Sequence, residues 1–180
     1  GTINVESGTL TLDNKEKNFV GGIYNVSADK ELVLSTQINI SKTLTGLLDG
    51  AMKWNDNLSV LTTATFNFTG NKGLVWNAGS LIGGGNLTNS SKINIESANS
   101  KYISAATILT NKSTITFPIN CYLYLYDTSK LDNTTSGIID FKSDCIISYS
   151  GSAAHNLNNE GVIKKTAGDG VSIIQSNLTN

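Results

Sequence analysis

A short turn cluster that ends in a small residue and runs straight into an apolar segment returns along this chain. Asn71-Lys72-Gly73 precedes Leu74-Val75-Trp76, Asn89-Ser90-Ser91 precedes Lys92-Ile93-Asn94-Ile95, and Asn111-Lys112-Ser113 precedes Thr114-Ile115-Thr116-Phe117. Asn133-Thr134-Thr135-Ser136-Gly137 before Ile138-Ile139 and Asn159-Glu160-Gly161 before Val162-Ile163 continue the series. The last small residues stand at 73, 91, 113, 137 and 161, steps of 18, 22, 24 and 24. Gly22 before Ile23-Tyr24 and Gly50 before Ala51-Met52 extend it less regularly. A period near 22 residues with no helical pattern inside it is the length of one coil of a β-solenoid.

The segments between the turns alternate apolar and polar residues, as in Ile38-Asn39-Ile40, Phe66-Asn67-Phe68 and Tyr122-Leu123-Tyr124-Leu125-Tyr126. Alternation with period two marks strands with one buried face. The single proline and 17 glycines favour strands joined by tight turns. Leu44, Leu47, Leu48 and Met52 have helical spacing, but Gly46 and Gly50 interrupt it, so an irregular coil is expected there.

Phase gives a second line of argument. Ile115, Phe117, Ile119, Cys121, Leu123 and Leu125 share the odd phase after Ser113, and Ile139, Phe141, Cys145 and Ile147 share it one coil later. A shift of 24 sets Ile115 on Ile139, Phe117 on Phe141, Cys121 on Cys145 and Leu123 on Ile147. In-register parallel strands would stack these side chains in interior rows about 4.8 Å apart. The fold class expected from phase is all-β, a parallel β-solenoid of about eight coils and roughly 40 Å, with residues 1–180 as a single module.

Composition narrows the function. Charged residues are 15% of the chain, the net charge is −1, and all 13 basic residues are lysine. No basic field for nucleic acid exists, and no apolar run reaches the ~18 residues of a membrane span, so neither partner is expected. Polarity comes instead from 22 Asn, 20 Ser and 20 Thr. The chain opens at Gly1 without a leader-like segment, which reads as a processed or excised piece.

Residues 158–180, Asn-Asn-Glu-Gly-Val-Ile-Lys-Lys-Thr-Ala-Gly-Asp-Gly-Val-Ser-Ile-Ile onward, read as coils that would run on into Gly1-Thr2-Ile3-Asn4-Val5-Glu6-Ser7-Gly8-Thr9-Leu10-Thr11-Leu12. That joined text is similar to the repeat modules of very large secreted bacterial surface proteins and adhesins. The resemblance implies a right-handed parallel β-helix and an extracellular, cell-surface setting, and names no ligand. Further copies or flanking repeat modules, stacked end to end, are the expected partners, because a solenoid end exposes an open sheet edge.

Candidate sites are few. Cys121 and Cys145 occupy equivalent coil positions, which allows either a disulfide or two stacked buried thiols. Tyr122, Tyr124 and Tyr126 project from one face; such a row can bind a surface glycan or anchor a protein, unless a loop or neighbouring module covers it. His155 is the only histidine and reads as a surface or turn residue, so no metal site is expected. The lyases of this fold class use arginine, which is absent here, and Asp127, Asp132, Asp140, Asp144 and Asp169 are dispersed. No catalytic residue and no cofactor are therefore assigned, although Asp140 and Asp144 could share an outward face. Gly83-Gly84-Gly85 and Ala167-Gly168-Asp169-Gly170 read as solenoid corners rather than phosphate or calcium loops. The pairs Thr9/Thr11, Thr43/Thr45 and Thr114/Thr116 do not recur coil after coil, so no regular threonine array is expected. Nine Asn-X-Ser/Thr triplets leave glycosylation open. The function expected is a stiff structural rod or filament subunit, with a glycan-binding β-helix as the alternative and a polysaccharide-active enzyme behind both.

Overall fold

Three parallel sheets carry almost the whole chain. The structure is a computed structural model and describes residues 1–13, 18–151 and 156–180. The chain visits the sheets in strict rotation, from Thr2–Val5 in the first to Thr9–Leu12 in the second and Asn18–Phe19 in the third. It then returns to the first sheet at Gly22–Val26 and repeats the circuit. The first sheet has nine strands, ending at Asn177–Thr179; the second and third have eight each, ending at Val162–Lys165 and Ile173–Ile174. The result is a β-solenoid of about eight coils near 22 residues per turn, with no helix among the described residues.

The turn clusters explain the phase. Gly73, Ser91, Ser113, Gly137 and Gly161 all lead into strands of the second sheet: Leu74–Trp76, Ile93–Ile95, Thr114–Phe117, Ile138–Phe141 and Val162–Lys165. Gly50 does the same before Ala51–Trp54. Gly22 does not; it opens a strand of the first sheet and so belongs to a different corner of the coil. Ile115 pairs with Ile139, Phe117 with Phe141 and Leu123 with Ile147, as the shift of 24 requires.

Pleating turns these registers into interior rows. Leu32, Met52, Leu74, Ile93, Ile115 and Ile139 form one row under the second sheet, all buried. Beside it, Trp54 and Trp76 stack at 4.2 Å between centroids and 8° between planes. The Trp54 indole N–H donates to the Asp56 carbonyl and that of Trp76 to the Gly79 carbonyl, so neither buried indole is left unpaired. Under the first sheet Ala64, Leu87, Leu109, Leu131, Leu157 and Leu178 stand in register. Each fully buried leucine or isoleucine in such a row contributes about 1.5–3 kcal/mol of transfer free energy.

Three expectations from the sequence change. Leu44, Leu48 and Met52 are buried interior residues, and Leu47 points out. The segment expected to be irregular holds the strands Thr43–Leu47 and Ala51–Trp54. Gly46 keeps φ +139° there because a Cβ would lie 2.0 Å from the Tyr24 carbonyl oxygen, so the glycines serve coil-to-coil contact and do not break the strands. Ile119 is 39% exposed rather than inward, since it lies between the strands ending at Phe117 and starting at Tyr122, where no pleat fixes its parity. Asp140, expected on an outward solvated face, is buried; its carboxylate accepts a 2.7 Å hydrogen bond from Thr166 and lies 3.9 Å from Lys164.

The glycine run at 83–85 is a corner between Ser80–Ile82 and Asn86–Asn89, with φ +111° at Gly83 and +78° at Gly84. A Cβ on Gly85 would meet the Thr62 carbonyl oxygen at 2.3 Å. Ala167–Gly170 likewise lies between the strands Val162–Lys165 and Ile173–Ile174.

Candidate functional site

The three tyrosines lie on the strand Tyr122–Tyr126, whose intervening Leu123 and Leu125 are fully buried. Alternation therefore drives Tyr122, Tyr124 and Tyr126 to the outer side of the third sheet. Tyr122 and Tyr126 are 43% and 38% exposed; Tyr124 is half-buried. The rings of Tyr122 and Tyr124 are parallel within 7° at 5.9 Å. Tyr102, one coil earlier and paired with Tyr124 in the sheet, adds a fourth ring at 5.3 Å and 17°. The reading from sequence omitted Tyr102, though its spacing of 22 from Tyr124 was the available signal.

The stack has a chemical consequence. Tyr102 and Tyr124 turn ring faces toward each other, so part of the flat surface that would stack on a sugar ring is already used. What remains on offer is ring edge, phenol hydroxyls and the solvent side of the terminal rings. This is a ridge suited to lateral contact more than a cleft that encloses a ligand.

Beneath that face lie the cysteines. Cys121 and Cys145 are free and buried, with sulfurs 3.7 Å apart. The Cys145 thiol donates to the Ile119 carbonyl at 2.9 Å. The hydrogen bond to Cys145, together with burial, pushes the Cys121 thiol above its ordinary value, so it stays protonated at neutral pH. In the structure the two sulfurs stand in contact one coil apart and are not bonded.

Lys101 is the other unforeseen group. It occupies the interior row that continues with Leu123, Ile147 and Ile174 and is fully buried. Its ammonium donates to the carbonyls of Ser97 and Asn99 at 3.2 and 2.5 Å and to the Ser97 hydroxyl at 3.1 Å. Burial lowers its pKa below the usual lysine value.

The longest polar feature is internal. The side-chain amide of Asn89 donates to Asn111 at 2.9 Å, Asn111 to Asn133 and Asn133 to Asn159 at 2.7 Å, and Asn159 to Asn180 at 2.6 Å. The Asn89 side-chain oxygen also accepts the Ser91 N–H at 3.0 Å, and the Asn133 amide donates to the Gly137 carbonyl at 3.2 Å. Asn89, Asn111, Asn133 and Asn159 thus each bond within their own turn and to the next coil, which is why those four turn clusters begin with Asn, whereas Asn71 donates to Asp49. The sequence pointed to these asparagines as turn residues, but only the stacking makes them a ladder. Asn89, Asn111 and Asn133 are buried by it, which removes three of the nine glycosylation triplets from reach in the folded chain.

Other candidates come apart. Asp140 lies within a strand, whereas Asp144 sits at a corner, bound by Lys165 at 2.7 Å and by the Gly170 N–H at 3.1 Å. The Lys165 ammonium holds the Asp144 carboxyl below the usual range. The two acids therefore serve separate local networks and form no acid–base pair. His155 lies outside the described residues. Among those described, no group of three or more His, Cys, Asp or Glu is placed to hold a metal ion. A groove of about 380 Å³ beside the second sheet is lined by Glu31, Lys53, Lys72 and Glu96 among others, and the Lys53–Glu31 pair at 2.5 Å neutralises part of it.

The threonines also need correcting. Thr9/Thr11 and Thr114/Thr116 belong to the second sheet and Thr43/Thr45 to the first, so those pairs do not align. A single file does form on the outer side of the first sheet, through Thr43, Thr65, Thr88 and Thr110, before Asp132 and Asn158 interrupt it.

No family model matches the chain, and no curated protein or solved structure matches it.

Proposed function

We propose that this chain is a stiff structural module, a rod segment or filament subunit on the outside of a cell. The observation that carries the reading is the unbroken in-register stack of coils, in which like side chains repeat along the axis: asparagines from Asn89 to Asn180, Trp54 on Trp76, Phe117 on Phe141. In-register stacking spreads hydrogen bonding and apolar contact evenly along one direction, which resists bending and exposes few protease-sensitive loops. Low charge and the resemblance to secreted bacterial repeat modules favour a surface setting with flanking repeats or further copies as end-on partners. The test is negative-stain electron microscopy of the purified chain over a concentration series, combined with protease digestion. Short rods or fibres that survive protease support the reading; flexible or rapidly digested particles overturn it.

A second reading, glycan or receptor binding along the side of the rod, is favoured by the ring cluster of Tyr102, Tyr122, Tyr124 and Tyr126. A glycan array with the Tyr122→Ala/Tyr126→Ala chain as control separates it from the structural role.

A further inference from the structure

Cys121 and Cys145 stand one coil apart at matching interior positions, each just ahead of a strand of the third sheet, Tyr122–Tyr126 and Ile146–Ser150. Neighbouring parallel strands set Cα atoms about 4.8 Å apart, inside the roughly 4.4–6.8 Å range of disulfides. The sulfurs already touch at 3.7 Å. Closing to the ~2.05 Å of a bond requires the two sulfurs to approach further. The residues before them, 118–120 and 142–144, lie outside the strands. With Cys121 at 2% and Cys145 at 0% exposure, solvent oxidants have no path to either sulfur once the coils have closed.

We propose that Cys121 and Cys145 form an inter-coil disulfide site whose redox state is set before the solenoid closes and is then kept by folding. The chemistry is thiol–disulfide exchange with a small disulfide such as oxidised glutathione. One cysteine thiolate attacks it, forming a mixed disulfide and releasing one glutathione thiolate. The other cysteine thiolate attacks the protein sulfur of that bond, forming Sγ–Sγ and releasing the second. The two cysteines lose two electrons, which the oxidant gains, and the two protons pass to the released thiolates at neutral pH. The bond would close a loop of 24 residues across adjacent coils. It ties the coil that carries Tyr122–Tyr126 to the coil that carries Ile146–Ser150, and it operates whether or not the chain is a surface rod.

The experiment refolds the 180-residue chain in a series of glutathione redox buffers, with a parallel series held in denaturant. Acid quenching, alkylation and mass spectrometry then give the fraction of monomer carrying the bond. The expected result is an effective thiol concentration at least about tenfold higher under native conditions than in denaturant. The bridged chain should also melt about 5 °C or more above the reduced one. Reduced protein that has already folded should acquire the bond no faster than it unfolds. A native value equal to or below the denatured one overturns the proposal, because the folded geometry would then oppose the bond. Rapid oxidation of the folded chain overturns the locking. Cys121→Ser and Cys145→Ser, taken singly, must each abolish the monomeric bond. A Cys121→Ala/Cys145→Ala chain supplies a folded reference that oxidant leaves unchanged.

Discussion

One column of the interior changes chemistry halfway along the rod. Beneath the first sheet it carries Leu44 and Phe66 in the early coils, then Asn89, Asn111, Asn133 and Asn159 in the later ones, each directly in register with the last. Both halves keep the same coil shape, so the fold does not depend on which chemistry fills the corner. The apolar half is held by contacts that each residue makes with several neighbours. The amide half is held by a directional chain in which the rungs Asn111, Asn133 and Asn159 each donate to one neighbour and accept from the other. An apolar rung can be resized locally, whereas an amide rung cannot be removed without stranding two others.

The sharpest way to break this contrast is truncation in each half. Phe66→Ala is expected to cost about 3–5 kcal/mol by denaturant unfolding, as for a buried aromatic that leaves a cavity. Phe66→Leu should recover most of that loss, to within roughly 1.5 kcal/mol of the parent. Asn133→Leu, which keeps roughly the volume but removes the amide in the other half, is expected to cost about 2–4 kcal/mol with no such rescue, because the Asn111 amide and the Asn159 carbonyl lose their partner. If Asn133→Leu unfolds like the parent, the ladder contributes only volume and the contrast fails.

A double-mutant cycle sharpens it further. Asn111→Ala with Asn133→Ala should couple by about 0.5–3 kcal/mol, while Phe66→Ala with Asn133→Ala should add within about 0.5 kcal/mol.

Lys101 tests the same distinction by pH. Its pKa is lowered by burial in the folded chain, so the folded state holds its proton less tightly than the unfolded state does. Stability therefore rises as pH climbs from the lowered folded value toward the ordinary lysine value near 10.4, and the full penalty is present below that window. Lys101→Met is expected to flatten this alkaline rise, read from unfolding midpoints at several pH values. An unchanged slope would mean that the ammonium is not desolvated. The smallest effect belongs to the surface: Tyr102→Ala should cost about 0.5–1.5 kcal/mol through the lost stacking with Tyr124, measured in the same unfolding assay.

Much of the architecture was legible along the chain. The clusters ending at Gly73, Ser91, Ser113, Gly137 and Gly161 mark one corner of successive coils, and the phase of Ile115 to Leu123 repeats 24 residues later in the observed register. Parity failed where strands stop, at Ile119, because alternation has meaning only inside a pleated segment. It failed at Asp140 because an outward position can still be covered when a neighbouring coil supplies Thr166 and Lys164. The tyrosine ridge was visible as three residues out of four, since Tyr102 sits in a strand of only three residues whose alternation is too short to notice.

What the residues determined unaided is the repeat length, the strand phase and the inward apolar rows, because these follow from local backbone preference and burial with period two. What only the tertiary structure decided is which polar groups bond from coil to coil and how closely the stacked side chains meet. An asparagine that suits any turn becomes a rung when the next coil brings another within 2.7 Å, and two cysteines 24 apart become neighbours at 3.7 Å. A lysine in an alternating strand is committed to the interior because the row it joins runs on into Leu123 and Ile147. A repeat along the chain can suggest register, but hydrogen bonds between coils more than 20 residues apart depend on side-chain geometry that no local preference carries.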